Sequence, residues 1–312
     1  MQALFAYFQD FFQAVNRSFF VFCTLLAAVL VWANYRWGIE PRWLAALQPR
    51  PLKFMGFYCL YLLAFGLPWL FYLLVLRAGP CPPALLVFLL LAPAVFALKV
   101  SAGGWQEWLR TLVPGNGGRY LALVSDWPIR LLLTLFLVMC LRWLMDRLDA
   151  PPGTLGFGAQ RVSWSTYGWL LAAMAPLVVF AASQPAFLQA YPKLRAIFFL
   201  PPGASRIAGG IGYELSYGSD FFTIELFFRG LLVVWLCRWM GPAAILPMAV
   251  FYCSIHFGKP LLECVSSYFG GMILGVLACY SESILGGIVV HLGLAWMMEA
   301  AALASSYIHT NN

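Results

Sequence analysis

The chain has 312 residues, 62% of them apolar or aromatic and only 10% charged, and its mean hydropathy is +0.82. A soluble domain carries about 45–50% apolar and about 25% charged residues, so these figures exclude an ordinary cytosolic enzyme, a disordered protein and a secreted disulfide scaffold. Long unbroken apolar runs, in place of apolar–polar alternation, point to an all-α polytopic transmembrane bundle and not to a β-barrel.

A spanning helix needs roughly 20 apolar residues. In chain order the candidate segments are Ser18–Tyr35, Phe54–Leu76, Cys81–Leu98, Trp127–Met145, Trp164–Ala182, Ser216–Met240, Ala243–Phe257, Cys264–Tyr280 and Ile284–Leu303. We therefore expect about nine spans, within a range of eight to ten. The first segment has no small-residue cleavage site and reads as a retained span. Pro82, Pro83 and Pro93 interrupt the third segment, and Arg130 lies near the start of the fourth. Gly103–Arg119 and Pro185–Tyr213 are rich in Gly or Pro with Trp or basic residues, as interfacial connections are.

The net charge of +7 does not indicate nucleic acid. The Lys and Arg residues lie mostly between apolar runs, Arg77 among them, and the odd-numbered loops carry the larger share. By the positive-inside rule those loops face the cytoplasm, with the N-terminus outside. The 8 cysteines include no CxxC and read as small core hydrophobes, not as metal ligands or a disulfide framework. Through Arg206, charged residues fall almost wholly between the spans; beyond it they enter them. We read 1–206 as variable N-terminal transmembrane helices and 207–312 as a chemically loaded helical core, within one continuous membrane domain.

Ionisable groups inside a span are costly and are functional candidates by default. The sixth segment holds Glu225 and Arg229, which at i,i+4 share a helix face and can pair. The seventh ends in Tyr252-Cys253-Ser254-Ile255-His256, and the ninth holds His291 and Glu299. Of three histidines, two thus lie at membrane depth, while His309 is in the tail. At 1.5 Å per residue, Glu225 and His256 both lie roughly 20 Å from the same membrane face. His291 lies only about 10 Å from the opposite face, so Glu299 matches the common depth better. Glu263 follows Gly258 and Pro260, in the first turn of the eighth span, where it either caps the helix or supplies a second carboxylate. Gly271 and Gly275 form a GxxxG for close helix packing.

Taken together, Glu225–Arg229, Tyr252–His256 and His291 resemble the EExxxR, FxxxH and HxxxN/D motifs of the CAAX-protease and bacteriocin-processing family, the CPBP or Abi proteins, which include the type II CAAX prenyl endopeptidases. The resemblance covers roughly Ser216–Leu303. Tyr252 stands for the Phe of the second motif. Ile224 replaces the first Glu, the residue the resemblance assigns to activating water, and Ala295 replaces the Asn or Asp of the third motif.

The resemblance implies an intramembrane endopeptidase, metalloendopeptidase-like in its annotation, acting on a peptide or protein substrate in the lipid bilayer. The motif variants look like those of a bacterial member, in the inner (plasma) membrane. Peptide hydrolysis needs an activated water and a stabilised oxyanion. On this reading Glu225 and His256 orient and deprotonate the water, His291 donates to the oxyanion and Arg229 holds Glu225 ionised. Tyr252, Glu263 and Glu299 support the site, and a protonated Glu299 could supply the donor missing at Ala295. No cofactor is required; the alternative is Zn²⁺ held by Glu225, His256 and His291, which would leave an open position. Two other classes remain open: a non-catalytic pseudoprotease that binds peptides or serves as a scaffold or immunity protein, and an ion-coupled transporter. The absence of an inverted repeat counts against the latter.

Overall fold

The structure is a computed structural model that describes residues 2–76 and 81–311. Arg77, counted above among the loop cations, lies outside the described residues, as does the side chain of His309. Among the described residues fourteen α-helices follow in order. The first seven are α1 (Gln2–Ala14), α2 (Arg17–Trp37), α3 (Arg50–Phe71), α4 (Pro83–Ser101), α5 (Trp105–Leu112), α6 (Asn116–Val124) and α7 (Asp126–Arg147). The rest are α8 (Trp164–Ala181), α9 (Pro185–Ala190), α10 (Ala204–Ile224), α11 (Leu236–Met240), α12 (Ile245–Ser254), α13 (Leu261–Ser281) and α14 (Leu285–Asn311). No strand occurs among the described residues; one isolated bridge joins Phe157 to Ser283.

Seven helical segments among the described residues are long and apolar enough to cross a membrane: Arg17–Trp37, Arg50–Leu76, Pro83–Leu112, Asn116–Arg147, Trp164–Ala181, Leu261–Ser281 and Leu285–Ser306. The chain is an integral membrane protein. The other two expected spans are helical but differ in kind. Ser216–Met240 lies within a helical run of α10, a π-helical stretch Glu225–Trp235 and α11. That run carries Glu214, Asp220, Glu225 and Arg229, too many charges for a lipid-facing span. The seventh segment shrinks to α12, whose 10 residues rise only about 15 Å, half of a hydrocarbon core of about 30 Å. Gly241 turns the chain at φ 64° before it, and backbone bonds from His256 N–H to Cys253 O and from Lys259 N–H to His256 O wind it into turns after it. The third segment, in contrast, runs unbroken through Pro93, as membrane helices allow when neighbours supply backbone partners.

The helices pack around α12 and the π-helical stretch. Every residue of both is buried. Phe96, Phe227, Phe228 and Phe251 meet there, edge to face except for the tilted Phe96–Phe227 pair, with ring centroids 5.0–5.9 Å apart. Lys99 of α4 pairs with Asp220 of α10 at 2.7 Å, and Arg130 donates to Lys99 O and pairs with Asp126. These bonds fasten α4, α7 and α10 to one another.

The cysteines depart from expectation. Cys237 and Cys279 form a disulfide with Cα atoms 6.2 Å apart, joining the start of α11 to the last turn of α13. Their separation of 42 residues gives no motif, so only the packed helices bring them together. Cys23, Cys253 and Cys264 are buried core residues as expected, whereas Cys59 and Cys140 are exposed.

Candidate active site

Three glycines let the candidate residues meet. Gly156 adopts φ 81°, and its carbonyl accepts from the Ile284 N–H at 2.8 Å, which docks the loop after α7 against the start of α14. There a Cβ on Gly286 would overlap the Tyr167 ring, and one on Gly287 would overlap a carboxylate oxygen of Glu225. Only glycine admits such close approach. Gly287 is one turn before His291, so α14 seats Glu225 and presents the histidine to it.

The result is a line of polar groups in the buried centre. Glu225 and Arg229 are fully buried. Glu225 Oε1 lies 3.1 Å from an Arg229 guanidinium nitrogen and 2.7 Å from His291 Nδ1. His291 Nε2 lies 3.0 Å from the Tyr252 hydroxyl. The Arg229 guanidinium stacks 4.2 Å above the Tyr252 ring centroid, a cation–π contact. His256 directs Nδ1 at the Tyr252 carbonyl at 2.9 Å. A carbonyl only accepts, so the proton sits on Nδ1 and Nε2 keeps a free lone pair. Tyr252 stands between the two histidines, its ring centroid 4.7 Å from that of His256 and 6.1 Å from that of His291. The π-helix itself fits this place, since such distortions of α-helices cluster at functional sites.

Residues 219–297 match the sequence family "Type II CAAX prenyl endopeptidase Rce1-like". The match lies wholly within the C-terminal core, which is therefore similar to that family. Comparison with curated proteins and with solved structures gave no match. The matched segment contains every member of the polar line.

Within this core, two expected members stand apart. Glu299 accepts backbone N–H bonds from Lys193 at 2.7 Å and Leu194 at 3.0 Å, so it caps the short helix Lys193–Ile197. The depth comparison ranked it above His291 by assuming that helix ends share a plane. They are staggered: Glu225 meets Gly287 and His291 in the first turns of α14. Glu263 pairs with Lys259 at 3.2 Å and accepts from the Tyr191 hydroxyl at 3.5 Å, and it bonds neither histidine among the described residues. Burial, and then the Lys259 ammonium, push the neighbouring Lys193 ammonium below its ordinary range against the pull of Glu263 and Glu299. Ile224 and Ala295 are both buried and bring no polar group.

Of the alternative zinc set, Glu225 lies within reach of His291, and His256, with Nδ1 on the Tyr252 carbonyl, has Nε2 alone to offer a metal. Among the described residues no three His, Cys, Asp or Glu side chains form a group that could hold a metal ion.

Several positioning residues escaped the sequence reading. Phe221 stacks on His291 with ring centroids 6.0 Å apart. Buried Asn34 donates to the Phe257 carbonyl at 2.9 Å, and Tyr35 donates to the Lys259 carbonyl at 2.5 Å, so the end of α2 clamps the turn that carries His256. Asn34 was visible as a polar residue inside the first span; Gly287 was visible only as a glycine one turn before a histidine.

Proposed function

We propose that the chain is an intramembrane endopeptidase of the CAAX-protease type, hydrolysing a peptide bond with water activated at His256. The observation that carries this reading is the line Arg229–Glu225–His291–Tyr252 with the His256 ring beside Tyr252, their centroids 4.7 Å apart. With Glu225 already engaged by Arg229 and His291, the base role falls to His256. Its Nε2 takes a proton from water as the water oxygen attacks the carbonyl carbon, then returns that proton to the leaving amine as the C–N bond breaks. Glu225 lies against His291 Nδ1, where a carboxylate orients a catalytic histidine in hydrolytic triads, and Arg229 pairs with Glu225. The His291–Tyr252 end faces the carbonyl oxygen.

The test is cleavage of a fluorogenic peptide library by purified protein in nanodiscs. Glu225→Gln and His256→Ala should each lower turnover by about 100-fold or more, the range of a lost acid–base group, with melting temperature unchanged for His256→Ala. Undiminished cleavage in both variants, or no turnover of any peptide by the wild type, overturns the reading.

A further inference from the structure

We infer that the Tyr252 hydroxyl is the hydrogen-bond donor to the oxyanion, a catalytic role that this chain gives to a residue outside the polar positions of its motifs. The inference rests on the peptidase reading above. It starts from a shortage of donors. Ala295 has none to give. Glu299 accepts two backbone N–H bonds through both of its oxygens, and an ionised carboxylate donates nothing. His291 is engaged at both ring nitrogens, Nδ1 by Glu225 and Nε2 by Tyr252. A ring that carries its proton on Nδ1, beside the carboxylate, leaves Nε2 an acceptor, so Nε2 receives the phenol proton and has none for a substrate.

That leaves the phenol O–H, and its surroundings suit it. The Arg229 cation on the ring face draws charge from the phenol and strengthens it as a donor. In the resting site the hydroxyl bonds the His291 imidazole. As negative charge grows on the carbonyl oxygen, the hydroxyl can swivel about its C–O bond towards it, because a hydrogen bond to an ionised acceptor is roughly twice as strong as a neutral one. The interaction thus strengthens in the transition state over the ground state, as catalysis requires. The same turn holds base and donor together: Tyr252 and His256 are four residues apart, and the His256 Nδ1–H bond to the Tyr252 carbonyl fixes their spacing.

Tyr252→Phe removes one oxygen and keeps the ring under Arg229. It should lower kcat by about 100-fold or more, the cost of one lost oxyanion donor, with KM within about twofold and an unchanged melting temperature. Tyr252→Phe combined with Ala295→Asn should regain at least about tenfold of that loss, because it restores a donor one turn beyond His291. If the wild type cleaves peptides and Tyr252→Phe cleaves them within about threefold, the donor role is overturned and the peptidase reading stands. A kcat loss that Asn at 295 leaves untouched, accompanied by a lowered melting temperature, also overturns it. If the wild type cleaves nothing, the peptidase reading falls first and the donor role with it.

Discussion

The helix α2 and the stretch Glu225–Trp235 are both strongly apolar, yet they meet their surroundings in opposite ways. In α2 the buried residues are Phe19, Cys23, Ala27, Val31 and Asn34, a single stripe at helical spacing, while Val21, Leu25, Val29 and Trp32 are more than half exposed on the other side. In Glu225–Trp235 all 11 residues are buried. Lipid is as apolar as leucine, so a lipid-facing helix tolerates any apolar residue on its outer face and selects only its seam. A helix enclosed by protein can instead carry charge, provided partners enclose the charge too. The comparison separates the two jobs of apolar sequence in this chain: the outer helices keep lipid away, and the enclosed helix uses the resulting low dielectric to hold Glu225, Arg229 and His291 against one another.

Removing Arg229 should break that arrangement with the largest effect. Taking away one partner of a buried ion pair leaves an uncompensated charge, at a cost of about 3–5 kcal/mol. Arg229→Ala is therefore expected to lower the unfolding free energy by about that amount in detergent melts. Arg229→Lys should recover only part of it, because an ammonium cannot stack on the Tyr252 ring as a guanidinium does. A loss below about 1 kcal/mol for Arg229→Ala would mean that Glu225 is not held as an anion.

A smaller effect tests packing alone. Gly287→Ala would drive a methyl group into the Glu225 carboxylate, and overpacking of this kind costs about 1–3 kcal/mol. Peptide cleavage should fall with stability, since the displaced carboxylate no longer meets His291. Gly270 in α13 is the matched control, because a Cβ there meets nothing within 4 Å. Gly270→Ala should be neutral or stabilising by up to about 1 kcal/mol, as expected of alanine in a helix interior. Equal effects at the two glycines would show that the close seat for Glu225 does not exist.

How much of this was legible beforehand follows from which signals are local. Apolar run length marked the seven long helices directly, and charge inside a run marked Glu225 and Arg229. Spacing of four marked the Glu225–Arg229 pair, and the family resemblance marked Tyr252 with His256. Run length failed at Ala243–Phe257, where Gly241 and the turns after Ser254 cut an apolar stretch to the ten residues of α12; burial by protein and burial by lipid leave the same composition. Depth counting failed at Glu299, because the stagger of α14 against Glu225 is a property of packed helices. The Cys237–Cys279 disulfide and the seat at Gly287 were illegible for the same reason, each being a contact between distant segments with no spacing of its own.

The smallest expected effect bears on the lipid-facing half of the comparison. Leu25 is 60% exposed on the outer face of α2. If lipid covers that face, Leu25→Ala exchanges one apolar environment for another and creates no cavity, so the change in unfolding free energy should stay within about 0.5 kcal/mol, as at ordinary surface positions. The same substitution in a packed interior costs about 2–5 kcal/mol through lost contacts and the void left behind. A measured loss above about 1 kcal/mol at Leu25 would therefore mean that protein, not lipid, packs on this face. A second copy of the chain would then be the first candidate, and α2 would belong with the enclosed helices after all.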